Sequence, residues 1–89
     1  MAPEPTVTRY SFINPDDEIT QIHLWSDDGV VWNVTDYYGQ WLDAHGRWGW
    51  PPRTAPVEAR AAWRMERIWD FGTALERART AFEQTGARK

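Results

Sequence analysis

No cysteine occurs anywhere in the 89 residues, which removes a disulfide framework, a thiol nucleophile and a thiolate metal site together. The chain must therefore be held by packing alone, as suits a reducing cytoplasm. No apolar run approaches the ~18 residues needed to cross a bilayer. The opening Met1-Ala2-Pro3-Glu4-Pro5-Thr6 lacks the basic region and apolar stretch of a secretory leader. Neither membrane nor export is expected, and the expected location is cytoplasmic.

Groups for catalysis are equally scarce. The only serines are Ser11 and Ser26, neither in a nucleophile-elbow sequence, and the only histidines are His23 and His45. Gly39, Gly46 and Gly49 surround tryptophans and do not form a strand-to-helix phosphate loop. Asp43-Ala44-His45 places a carboxylate near an imidazole, and Asp16-Asp17-Glu18 clusters oxygen ligands. Neither completes a catalytic or metal-binding pattern, and turn-forming aspartates with a surface histidine explain both. The expectation is a non-enzyme with no cofactor and no metal. A small enzyme subunit whose site is shared with another subunit is the remaining catalytic alternative.

What is present describes a globular domain. Hydrophobic residues make up 42% and charged residues 26%, enough to form one core in a chain too short for two. A single domain over residues 7–86 is expected, with a loose N-terminal end at 1–6 and a frayed C-terminal end at 87–89. Charge is unevenly placed. Residues 1–45 hold eight carboxylates against Arg9 alone, a net −7, whereas residues 46–89 hold nine basic groups against five carboxylates, a net +4. Either the halves pair with each other or one presents a charged surface to a partner.

Period-2 alternation marks strands at Val7 to Ile13, from about Glu18 to Trp25, and from Val30 to Thr35, with Asn14-Pro15-Asp16-Asp17 as a turn. The strongest hairpin signal is Asp27-Asp28-Gly29. A three-residue loop with Gly29 in the left-handed position pairs Trp25 with Val31 and Leu24 with Trp32. Ile22, Leu24, Val30, Trp32 and Val34 then share the core face, and Trp25 falls on the more polar one. Residues 36–46 read as a short helix capped by Asp36 and closed by Gly46, in preference to a small hairpin pairing Gln40 to Leu42 with Arg47 and Trp48. After Pro56 the period becomes 3.6, with Val57, Ala61, Met65, Ile68, Gly72, Leu75 and Phe82 in one sector. A capping box at Thr73-Ala74-Leu75-Glu76 predicts a break near Asp70 to Thr73, and Gly86 predicts the end. The fold class is α+β: a small antiparallel sheet of about three strands, then one long kinked helix or two consecutive helices packed on one face.

Seven tryptophans are the outstanding feature. Each buries on the order of 200 Å², and a chain this small hides only about 60% of its unfolded surface, so they cannot all be central core. Trp32 and Trp69 fall beside the predicted core, Trp41 is undecided, and Trp25, Trp48, Trp50 and Trp63 are surplus. Arg60, Trp63, Arg64 and Arg67 share one helix face at i, i+3, i+4 and i+7 spacing. Their answer is either internal, from Asp16, Asp17 or Glu18, or a partner bearing carboxylates or phosphates.

The expected function is a small protein-binding module, an adaptor or inhibitor, that uses Trp25, Trp48, Trp50, Trp63, Arg60, Arg64 and Arg67 as anchors. Asp16, Asp17, Glu18, Asp27 and Asp28 supply an acidic surface. The partner is another protein, with self-association open. Nucleic acid is the alternative, either bound by the arginines or mimicked by the acidic half, although a net charge of −3 gives no overall attraction to a polyanion.

Overall fold

A meander of five antiparallel strands followed by two helices makes up the computed structural model, which describes residues 8–87. The loose ends expected at 1–6 and at 88–89 lie outside the described residues, and Ala87 belongs to the last helix. The strands are β1 (Arg9–Asn14), β2 (Asp17–Trp25), β3 (Asn33–Asp36), β4 (Trp41–Leu42) and β5 (Trp48–Gly49), in that spatial order. The helices are α1 (Val57–Met65) and α2 (Phe71–Ala87). The α+β class is as the two periods imply, but five strands replace the expected three.

The additional strands come from residues 36–49, where the expected helix is absent. Two turns of one design form instead. Asp36 Oδ1 accepts from the backbone N–H of Tyr38 (3.0 Å) and Gln40 (2.8 Å). Seven residues later Asp43 Oδ1 accepts from His45 (2.8 Å) and Arg47 (2.9 Å). Each turn closes on a glycine three residues on, Gly39 at φ 89° and Gly46 at φ 78°, a conformation that carries little penalty only for glycine. Aspartate side chains competing for the backbone defeat the helix here.

The loop between β2 and β3 is longer than expected. Trp25 pairs with Asn33 and Leu24 with Val34, two residues beyond the predicted register. Asp28 Oδ1 takes the N–H groups of Val30 (2.8 Å) and Val31 (3.2 Å), and this draws both residues out of the ladder. Trp32 exchanges backbone bonds with Trp69 instead, at 2.7 and 2.9 Å. A shift of two preserves which side chains face the core. Ile22, Leu24, Trp32, Val34 and Leu42 are therefore buried as a set, while Val30 lies exposed in the loop.

Against that face α2 lays Ala74, Ala78 and Ala81, all buried, with Phe71, Leu75 and Phe82 packed around them. Small side chains let the helix approach the sheet closely. Its cap is Asp70, which accepts from Thr73 N–H at 3.2 Å and Thr73 Oγ1–H at 2.7 Å, so the helix begins ahead of the predicted capping box and continues past Gly86. These hydrogen bonds from Thr73, side chain first, hold the Asp70 carboxyl below its ordinary pKa.

The helices do not share one face. No side chain of α1 is buried, and Val57 and Met65 of the predicted apolar sector stand in solvent. Trp63, with the Arg64 guanidinium 5.8 Å from the Trp41 ring beside it, carries the helix to the sheet, and it reaches the other side. Its ring lies 5.3 Å from that of Trp41, and a Cβ added to Gly49 would come within 3.9 Å of its Cζ2. Register puts Trp41 and Gly49 on the face of His23 and Thr35, opposite Leu24 and Val34.

Candidate functional site

The sheet face turned away from α2 has a polar centre and an aromatic, arginine-bearing end. Alternation assigns it Arg9, Ser11 and Ile13 from β1, Gln21, His23 and Trp25 from β2, Thr35 from β3 and Trp41 from β4. Trp25 lies on this polar face as expected. Its indole N–H donates to Thr35 Oγ1 at 2.7 Å, and the Arg9 guanidinium covers its ring at 4.4 Å.

At the centre Ser11 Oγ lies 2.7 Å from His23 Nδ1, and His23 Nε2 lies 3.0 Å from Gln21 Oε1. The network is satisfied with Nε2 protonated and donating to Gln21, so that Nδ1 accepts from the serine. This superficially has the form of a nucleophile, a base and an orienting group, which spacing along the chain does not reveal. Gln21 is neutral and gives an imidazolium no countercharge. Burial first, and the nearby Arg9 second, push the His23 pKa below its ordinary 6.5. The row is thus a way of burying a neutral imidazole within a sheet.

That burial has a pH consequence. Below pH 6.5 the unfolded chain takes up a proton that folded His23 refuses, so stability should be greatest above 6.5 and fall towards the lowered folded value. Urea midpoints measured between about pH 7.5 and 5 should decline on acidification, and His23→Gln should flatten the slope. Equal slopes in the two proteins would show that His23 is not the cause. The range stays above the titration of Asp28, Asp43 and Asp70, whose pKa values are lowered from 3.8 by hydrogen bonding.

Beside β4 the aromatic end rises into α1. Trp63 is sandwiched between Trp41 and the guanidinium of Arg67, which lies 4.1 Å from its ring centre. Arg67 also donates to the Trp63 carbonyl at 2.8 Å and pairs with Glu66 at 3.6 Å. Its side chain is only 14% exposed, which makes it a strut for the indole. Arg64 meets Asp27 at 3.7 Å in an exposed contact, of a kind that contributes about 0–1 kcal/mol. The internal acid is therefore Asp27, while Asp16, Asp17 and Glu18 sit at the far end of β2. Asp17 is engaged locally by Thr20 Oγ1 at 2.6 Å and Ile19 N–H at 3.2 Å. Arg53 and Arg60 make no ion pair among the described residues.

Three adjoining hollows follow this side of the molecule. One of about 600 Å³ lies between Arg64, Trp41, Trp25 and Tyr37. A second, of about 560 Å³, is floored by Trp41, Pro51, Pro52 and Trp63 and rimmed by Arg53 and Arg60. The third, about 440 Å³, is formed by Tyr38, Trp50, Pro51 and Arg53. Trp50 is 59% exposed, and Tyr37 and Tyr38, in edge-to-face contact at 5.3 Å, are also exposed.

Of the residues singled out by sequence, Trp25, Trp50, Trp63, Arg60 and Arg64 come together on this side. Trp48 points to the other face, half-buried against the core beside a 460 Å³ hollow under α2. Asp28 organises its loop, with its carboxyl pKa lowered by the Val30 and Val31 amides. Tyr37, Tyr38 and Arg53 join this side without any signal in residue spacing. The first two follow from the Asp36–Gly39 turn, which makes them a displayed tip, and Arg53 from the rigid Pro51-Pro52 that precedes it. Among the described residues no group of three or more His, Asp or Glu is placed to hold a metal ion, and no helix is long and apolar enough to cross a membrane. Comparison of the chain with protein-family models, with curated proteins and with solved structures finds no match.

Proposed function

We propose that this chain is a non-catalytic protein-binding module, an adaptor or inhibitor, which engages its partner through the side formed by α1, the 50–53 loop and the 36–39 turn. The observation that carries this reading is the 560 Å³ hollow, an aromatic and proline floor bordered by Arg53 and Arg60, two guanidiniums that pair with no carboxylate among the described residues. Rigid indoles bury much area with few rotors, and guanidiniums left unanswered within the chain are available to an acidic partner. Trp50 and Tyr38 extend the patch beyond the hollow. A standard interface needs about 800 Å² per partner, so the surface around the three hollows has to contribute as well.

The test is affinity capture from the native cell, followed by titration of the purified partner. Trp50→Ala and an Arg53→Glu/Arg60→Glu double variant should each weaken binding by at least about 30-fold, the equivalent of a hot-spot loss near 2 kcal/mol. Unchanged affinity in both would remove this side of the molecule from the interface. Binding to single-stranded DNA that is lost in the same variants and falls steeply with salt would favour the nucleic-acid reading, because arginines beside exposed indoles can also hold phosphates and stack bases.

A further inference from the structure

At the opposite end of β2 from the Asp27–Arg64 contact, about 27 Å along a strand of this length, the β1–β2 hairpin ends in an acidic tip. Ile13 and Ile19 are 55% and 54% exposed there, beside the exposed carboxylates of Asp16 and Glu18, which make no ion pair among the described residues. Ile13 stands opposite Gln21, and Ile19 is two residues before Gln21 in β2. Ile13 therefore belongs to the face that carries His23, Trp25 and Trp41, and Ile19 lies within the irregular turn-proximal stretch where the register shifts.

One face thus bears the exposed Ile13 beside the acidic hairpin tip at one end and an apolar, arginine-rimmed hollow at the other. We infer that this face is the interface of a closed two-fold homodimer, in which each copy's hairpin tip seats against the Arg53/Arg60 hollow of the other. The inference rests on the reading of the α1 side as a protein-binding surface and names a second copy as its occupant. A two-fold axis lying between the stacked faces brings either end of one copy over the other end of its mate, so both contacts form together and the assembly closes. Each tip meets opposite charge, although two whole chains of net −3 repel one another.

Shape agrees with this arrangement. The molecule is a slab of 43 × 38 × 20 Å with a radius of gyration of 14.1 Å, against about 12 Å for a compact domain of this length. One broad face is covered by α2 and the other only in part by α1. That second face is large enough for the roughly 800 Å² per partner of a stable interface, and it already exposes Ile13 and Trp25.

Sedimentation equilibrium on the full chain at about 100 µM, well above a micromolar Kd, tests the proposal. The wild-type protein should have twice its 10.4 kDa monomer mass and dissociate as salt is raised. Asp16→Arg/Glu18→Arg and Arg53→Glu/Arg60→Glu should each be monomeric under these conditions, with wild-type circular dichroism. Mixing the two variants should restore a one-to-one dimer, since both contacts then join opposite charges, and all four changes in one chain should restore the homodimer. A monomeric wild-type protein, a dimer indifferent to both double variants, variants that do not recover on mixing, or species that grow past the dimer would each overturn it. A monomer that still loses its captured partner on Arg53→Glu/Arg60→Glu would sink the dimer and leave the binding surface standing.

Discussion

Replacing Trp32 with alanine is expected to destabilise the fold by about 3–5 kcal/mol, the range for deleting a large buried aromatic. For a domain of 89 residues, with typically about 0.05–0.15 kcal/mol of stability per residue, that is a large part of the total. The indole is 2% exposed. It stands edge-on to Phe71 at 5.0 Å and tilted against Tyr10 at 6.0 Å, so its loss opens a void where the sheet and the start of α2 meet. The substitution also removes the indole N–H bond to the Gly29 carbonyl at 3.3 Å, whereas the Trp32–Trp69 backbone bonds do not involve the side chain. Urea denaturation should show a sharply lowered midpoint, and melting should fall by about 4–8 °C per kcal/mol. Trp50→Ala, which removes an exposed ring, should stay within about 0.5 kcal/mol of wild type. Equal losses in the two variants would mean that Trp32 does not hold the core.

Trp32 also shows what was legible in the sequence. Alternation placed it on the core face with Ile22, Leu24 and Val34, and this survived an error in register because a slip of two residues leaves every side chain on its side. Loop length was not legible, since Asp28 captures two backbone amides that simple pairing assigns to the ladder. In residues 36–49 the helical spacing of Trp41, Leu42 and His45 competes with the turn chemistry, and the turn chemistry wins. The repeated Asp-x-x-Gly of Asp36–Gly39 and Asp43–Gly46 was the stronger signal. The apolar sector drawn through Val57, Met65 and Leu75 failed for another reason. A periodicity continued across the break at Asp70 joins two helices that lie on opposite sides of the sheet.

Binding-site legibility divides along the same line. Spacing on α1 correctly grouped Arg60, Trp63 and Arg64, because i, i+3 and i+4 relations are local. It did not show that Arg67 is spent on supporting Trp63, or that Tyr37, Tyr38 and Arg53 would meet that group from distant segments. Residues brought together by tertiary structure leave no periodic trace. Charge asymmetry between the chain halves is legible, but among the described residues its internal resolution is small: an exposed contact of Arg64 with Asp27 and the attraction between Arg67 and Asp43. Among the described residues Asp16, Glu18, Arg53 and Arg60 make no ion pair, which is the physical ground for assigning them to an interface.

Trp63→Ala should release α1 while leaving the rest of the fold intact. The helix has nine residues, shorter than the ~12–15 at which isolated helices become even marginally stable in water. Pro56 precedes it without a side-chain cap, and none of its residues is buried. Glu58 in the first turn and Arg64 in the last favour the helix dipole, but such effects contribute only about 0.3–1 kcal/mol each. What remains is the indole held by Trp41 and Arg67, with the Arg64 guanidinium beside Trp41. Without it, amide exchange over residues 60–65 should accelerate by about 10–100-fold, as for a locally unfolding unit, while α2 keeps its protection. Far-ultraviolet circular dichroism should lose roughly a third of its helical signal, the share of nine residues in helices of nine and seventeen. Trp63→Phe, which keeps a ring over Trp41, should lose less. Full protection of α1 in the alanine variant would show that the Arg64–Asp27 contact or the helix itself suffices. If α1 does melt, Arg60 and Arg64 lose their fixed places beside the hollow, and partner affinity should fall with the helix signal rather than with global stability.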